Sequence, residues 1–270
     1  MSFSIAGKTA IITGAANGVG LAIARHFEAQ GANVMCADMD EESLANEIGD
    51  AAETEGSRIS YYAGDLREKL TVANLLSATI DAYDSVDIVV NASRQVLTSD
   101  PLNADADNVA TLLEQNLMTS LRITQQISRW MIARAEKEDR TTGPLGSIVN
   151  LSSIAARRAQ PELLGFSISS AAVDQMTRAM AVALAPYRIR VNAVAFGSVM
   201  SAKLQDVISD TPEFRDSIIE NTPLGRIAPA AEIAETVQYL ASECSGFMTG
   251  QILTVDGGRT LVDPVRVPTH

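Results

Sequence analysis

The sequence predicts an α/β fold, a doubly wound parallel sheet of seven strands flanked by helices, as one domain spanning residues 1–270. Three observations carry this expectation. Seven short β-branched runs alternate with longer stretches of helical period, the pattern of strands joined by crossover helices. At 270 residues and 46% hydrophobic composition, the chain can bury one large core. No internal repeat or long linker divides it, because the one linker-like stretch, Asp139 to Gly146, is short enough for a surface loop.

Taken in order, the expected strands are Thr9 to Thr13, Asn33 to Ala37, Arg58 to Ala63, Ile88 to Asn91, Ser147 to Leu151, Arg190 to Val194 and Ile252 to Val255. Each is short and rich in Val, Ile or Thr, as buried parallel strands are. Between them, Leu21 to Gln30 reads as a helix. Val109, Leu112, Leu113, Leu117, Leu121, Thr124, Ile127 and Met131 recur at helical spacing, which predicts one long helix with a single apolar side. Ser167 to Ala185 reads as a further helix, rich in small residues. The nine methionines and the single Trp130 are taken as packing residues.

A formal net charge of −12 and the lack of a basic cluster argue against nucleic acid and anionic lipid as partners. The two charge-free stretches, Thr9 to Ala24 and Thr141 to Ala156, carry Gly and small polar residues and are too short to span a bilayer. With no basic-then-apolar leader at Met1 to Lys8, a cytoplasmic location is the expectation. Cys36, Cys244, His26 and His270 are too few and too scattered for a zinc cluster or a disulfide framework, so no metal is expected.

Thr13-Gly14-Ala15-Ala16-Asn17-Gly18-Val19-Gly20 follows the first strand and opens a helix. Free backbone N–H groups and the helix dipole then converge on one spot, which makes an anion site. Gly14 permits a tight turn, Gly18 the approach of a pyrophosphate, and Gly20 close packing of helix on strand, a Rossmann-type arrangement. Asp38 ends the second strand, where a carboxylate accepts hydrogen bonds from an adenosine ribose. That carboxylate repels a 2′-phosphate, and neither Asn17 nor Ala37 to Asp40 supplies a cation to hold one. NAD(H) is therefore expected over NADP(H).

With these residues in view, the chain resembles the short-chain dehydrogenase/reductase family over nearly its whole length. The resemblance rests on the glycine turn, Asp38, Asp65-Leu66, Asn116, Gly146 to Ser153, Ile189 to Val194, Pro223 to Arg226 and Thr249 to Gly258. It implies that Asp65 bonds the adenine amino group, that Leu66 contacts the ring, and that Asn91 supports the central strand beside the cofactor. It also implies a catalytic Ser at Ser153 and an Asn of the proton relay at Asn116. The family reduces or oxidises an alcohol/carbonyl pair with a Ser, Tyr and Lys, the Tyr acting as acid or base.

Here the pattern breaks. Where the family has Tyr-x-x-x-Lys, this sequence reads Phe166-Ser167-Ile168-Ser169-Ser170. A benzyl ring has no ionisable proton, and a serine hydroxyl carries no charge to lower a neighbour's pKa. Tyr61, Tyr62, Tyr83, Tyr187 and Tyr239 lie elsewhere in the chain, and no lysine falls between Lys137 and Lys203. Two further departures adjoin the site. Asn-Asn-Ala-Gly has become Asn91-Ala92-Ser93-Arg94, and Pro-Gly has become Phe196-Gly197. Arg94 either narrows the adenosine cleft or adds a cation near the phosphates, or else turns outward into solvent. Arg157 and Arg158 read as a solvated loop pair in preference to a carboxylate anchor.

The resulting expectation is an NAD(H)-binding oxidoreductase acting on a small alcohol or carbonyl compound with impaired or non-standard proton transfer. The alternative is a silent relative that senses cofactor or partners an active paralogue; a lyase or isomerase on the same scaffold comes third. The helices around Val109 to Met131 and Ser167 to Ala185 resemble the family's interface helices, which implies a homodimer or homotetramer. Ser198 to Leu224 occupies the family's variable substrate lid, and its apolar residues suggest a small organic ligand.

Overall fold

The computed structural model describes residues 2–263, so His270 lies outside the described residues. Seven strands form one parallel sheet: β1 (Thr9–Thr13), β2 (Asn33–Asp38), β3 (Ile59–Ala63), β4 (Ile88–Asn91), β5 (Gly146–Ser153), β6 (Ile189–Phe196) and β9 (Ile252–Val255). Their order is β3-β2-β1-β4-β5-β6-β9, with the crossover between β3 and β4. Strand order reverses beside β1, and in open α/β sheets ligands bind at the carboxyl ends of the strands at such a point. A two-residue ladder, β7 (Val199–Met200) with β8 (Ala228–Pro229), stands apart from this sheet.

Period-two alternation along the strands feeds two cores. Ala10 and Ile12 of β1, Val34 and Cys36 of β2, and Ile88 and Val90 of β4 enter one core, against α1 (Gly18–Ala29), α2 (Glu41–Ala52) and α9 (Ala230–Ala241). The intervening Ile11, Met35 and Val89 enter the other, against α3 (Lys69–Tyr83), α5 (Thr119–Lys137) and α6 (Leu164–Leu184). A strand apolar on both faces is stable only between two helical layers, and each fully buried Ile or Val contributes about 1.5–3 kcal/mol over its exposed state. Cys36 sits in the first core, where burial pushes its thiol well above the ordinary range, and Cys244 is also a free thiol.

Two expectations need correction in detail. Strands β5 and β6 run on through Ser153 and Phe196, past the expected ends at Leu151 and Val194, because each carries the other's ladder, Ser152 to Ala195 and Ser153 to Phe196. The expected long helix is also not uniform. It begins as α4 (Val109–Leu112), passes through a π-helical turn at Leu113–Met118 and continues as α5. The wide turn shifts the phase, so Asn116 and Ile123 are buried while Leu113, Leu117 and Leu121 are only half-buried. The lid folds as α7 (Ala202–Asp210) and α8 (Pro212–Glu220), with Val207 and Phe214 exposed.

Candidate active site

A cleft of about 830 Å³ opens at the carboxyl ends of the central strands. Gly14 and Gly18 adopt φ +65° and +57°, left-handed values that favour glycine. A Cβ on Gly14 would lie 2.7 Å from the Ser93 backbone, and one on Gly20 only 2.0 Å from the Gly14 carbonyl oxygen. The turn is therefore as tight as the sequence requires. The first turn of α1 has no side-chain cap on its N–H groups and no acidic residue. By contrast α2 is capped by Asp40, which accepts from the Ser43 N–H at 3.0 Å, and carries Glu41 and Glu42. The uncapped helix start facing the cleft is the one suited to a diphosphate.

Asn17, Gly18, Val19, Asp38, Asp65 and Leu66 line this cleft. One Asp38 carboxylate oxygen accepts from the Ala16 N–H at 3.1 Å, and the other from the N–H groups of Met39 and Asp40 at 2.7 and 3.2 Å. No arginine or lysine pairs with Asp38 among the described residues. Asp65 accepts the Arg67 guanidinium at 2.6 to 3.0 Å, and Arg67 holds its carboxyl below the usual carboxylate range.

Thr13 and Asn91 stand behind the cleft wall. The Thr13 hydroxyl oxygen accepts from the N–H groups of Ala92 and Ser93, both at 3.1 Å, and so pins the segment after β4 against the glycine turn. Asn91 donates to Asn150 Oδ1 at 2.8 Å and to Thr124 Oγ1 at 3.2 Å, while Asn150 donates to Thr177 Oγ1 at 2.9 Å. This buried polar ladder ties β4 and β5 to α5 and α6. Asn116 in the π-helical turn accepts from the Gln95 N–H at 2.8 Å and donates to the Gln95 carbonyl at 3.0 Å and to Ser169 Oγ at 3.2 Å.

Ser153 at the carboxyl end of β5 and Phe166 and Ser170 on α6 are all buried, behind the residues that line the cleft. Ser153 Oγ accepts from the Ala155 N–H at 3.1 Å, which leaves its own proton for a ligand. Arg94 does not turn outward into solvent but lines the cleft. Its guanidinium turns inward, 4.0 Å from the centroid of the Phe196 ring and 5.7 Å from that of Phe166, and donates to the Ser152 carbonyl at 3.1 Å. Burial pushes its pKa down to about 10, so it stays cationic at neutral pH. The reason is packing: two aromatic faces offer the guanidinium a place that solvent would otherwise take. Arg157 and Arg158 are exposed, with Arg157 donating to Thr254 Oγ1 at 2.8 Å.

Sequence reasoning missed Asp174, whose carboxylate accepts the Ser152 hydroxyl at 2.6 Å and whose pKa burial raises. Its position one helical turn past Ser170 is the only signal the sequence offered. Among the described side chains, which exclude that of Lys203, no tyrosine, histidine or lysine lines the cleft, and no cluster of potential metal ligands occurs. No helix among them is long and apolar enough to cross a membrane.

A parallel sheet with a glycine turn and an open helix start at its switch point defines a dinucleotide-binding α/β protein of the dehydrogenase type. The family model described as Enoyl-(Acyl carrier protein) reductase matches residues 14–260. The chain belongs to the short-chain dehydrogenase/reductase family of oxidoreductases. It is 31% identical to the 3-oxoacyl-(acyl-carrier-protein) reductase FabG of Thermotoga maritima, over 93% of this chain and 97% of that one. It is also 31% identical to the L-fucose dehydrogenase of Mus musculus, over 94% and 89%. A gluconate 5-dehydrogenase from Burkholderia cenocepacia, solved with NADP and tartrate, superposes with a TM-score of 0.83 at 29% identity, covering 97% of this chain and 98% of that one. A 7α-hydroxysteroid dehydrogenase solved with NADH and a bile acid superposes at 0.84 with 28% identity, covering 95% of each.

Proposed function

We propose that this protein binds NAD(H) in the cleft at the carboxyl ends of β1 and β4, and that its transfer of hydride to or from a small alcohol or carbonyl compound is slowed by the loss of proton transfer. Gly14, Gly18 and the start of α1 would hold the diphosphate, and Asp38 the adenosine ribose. The nicotinamide, when bound, supplies or accepts the hydride. Ser153 can donate its hydroxyl proton to a substrate oxygen but cannot release it at neutral pH as a phenol poised beside a lysine can.

The observation that carries the reading is the composition of the catalytic end. Phe166 and Ser170 stand where the family resemblance puts Tyr and Lys, and among the described side chains, which exclude that of Lys203, no tyrosine, histidine or lysine lines the cleft. NAD(H) over NADP(H) is supported by Asp38, whose carboxylate faces no compensating cation. Calorimetry with NADH and NADPH, followed by turnover assays across ketone and alcohol panels, tests both parts. Tight NADH binding with weak turnover, raised about 10² to 10⁴-fold by the Phe166→Tyr, Ser170→Lys double substitution, is the expected result. Robust wild-type turnover would refute it.

A second reading, a silent cofactor-sensing subunit or the partner of an active paralogue, is favoured by Arg94, which fills the space between Phe166 and Phe196. The outer side of α6 supports association with another copy or a paralogue. Ile168, Ala171, Ala179, Val182 and Ala183 are exposed there, apolar and mostly small. Light scattering at micromolar concentration should then give a dimer or tetramer.

A further inference from the structure

Arg94 is a half-buried cation that has no counter-ion among the described residues. The carboxylates lining the same cleft are Asp38, held by three backbone N–H groups, Asp65, held by Arg67, and Asp206, exposed on α7. None of them pairs with Arg94, and among the described residues only one of its N–H groups has a protein acceptor, the Ser152 carbonyl. Its remaining nitrogens open on the cleft. A guanidinium taken out of water in this way is costly, and two ring faces with one carbonyl offset only part of that cost. The rings also cover the guanidinium's flat faces or flank them, so its edge is what a ligand can reach. An edge of parallel N–H donors matches the two oxygens of a carboxylate.

We propose that Arg94 binds the carboxylate of a small organic acid at the catalytic end of the cleft, next to Ser153. This rests on the preceding reading in that it names the chemical class of ligand for the same site. The cofactor's diphosphate is already provided for at the α1 start, so the anion at Arg94 is a second one. The acid sits in the cleft that Arg94 lines, at the guanidinium edge not used by the Ser152 carbonyl. Arg94 is a binding residue in this scheme, and no proton leaves it.

The test is calorimetric titration of the full chain with benzoate and hexanoate, against benzamide and hexanamide as uncharged counterparts, each with and without saturating NADH. Inorganic phosphate is run as a third arm. The wild type should bind at least one carboxylate saturably, and about tenfold or more tighter than its amide. Arg94→Met should lose that preference, and Arg94→Lys should retain part of it. Equal binding of acid and amide, an acid affinity unchanged in Arg94→Met, or tighter binding of phosphate than of either acid would overturn the proposal. Failure of NADH to bind while the acid preference persists would instead sink the NAD(H) reading and leave this one standing.

Discussion

The two ends of one cleft differ in how their residues answer to each other. At the α1 end, each unusual residue is required by its neighbour: Gly20 has no Cβ because the Gly14 carbonyl occupies that place, and Gly14 has none because Ser93 does. At the β5 and α6 end, the frame is held instead by buried side-chain hydrogen bonds. Asn116 bridges Gln95 and Ser169, and Asn91 joins Asn150, while Phe166 and Ser170 are buried and the Arg94 guanidinium lies over the Phe196 ring. On the proposed reading, a scaffold held by buried hydrogen bonds outlasts the acid–base pair that the family resemblance puts there.

The comparison can be broken first at the α1 end. Gly20→Ala forces a Cβ into a backbone carbonyl, which no side-chain movement relieves. NADH affinity should fall about 100-fold, with a lowered Tm, as seen by calorimetry and thermal melting. Unchanged affinity would mean that the cofactor does not use this turn.

A smaller effect is expected at Asp38. Asp38→Asn keeps a carbonyl oxygen for the Ala16 N–H and removes the charge. NADH affinity should drop and NADPH affinity rise, moving their ratio about tenfold in parallel titrations. A ratio that stays put would show that the carboxylate does not select between the two cofactors.

The smallest effect concerns the frame at the other end. Burial raises the pKa of Asp174 above that of an exposed carboxyl. The unfolded chain then releases this proton at lower pH than the folded one. The penalty is absent below the unfolded pKa, grows as pH rises toward the folded pKa, and is complete above it. Asp174→Asn should therefore raise Tm by about 2 °C at pH 7 and leave it nearly unchanged near pH 3. A destabilised variant at pH 7 would show that the bond from Ser152 outweighs the cost of burial.

What could be read from the sequence divides along the same line. Local rules sufficed where a residue's place follows from its immediate neighbours. The β-branched run Thr9 to Thr13 is the strand β1, and the glycines after it form the turn. The substitutions at Phe166 and Ser170 were visible as letters. The course of Arg94 was not, because it depends on a ring from β6 and another from α6 meeting across the cleft, a juxtaposition no local pattern encodes. The π-helical turn at Leu113–Met118 escaped for a related reason. It is stabilised by Asn116 bonding the segment after β4, while the apolar spacing around it fits an uninterrupted helix equally well.

The most direct measurement of the contrast between the two ends follows the hydride itself. NADH deuterated at the nicotinamide C4 is mixed with a panel of small ketones and keto acids, and label in the alcohol product is counted by mass spectrometry, for the wild type and for the protein carrying Phe166→Tyr and Ser170→Lys. With NADH binding equal in both, label should accumulate about 10² to 10⁴ times faster in the substituted protein. Equal rates of label transfer would contradict the account, because the wild type would then possess a working proton donor at that end of the cleft.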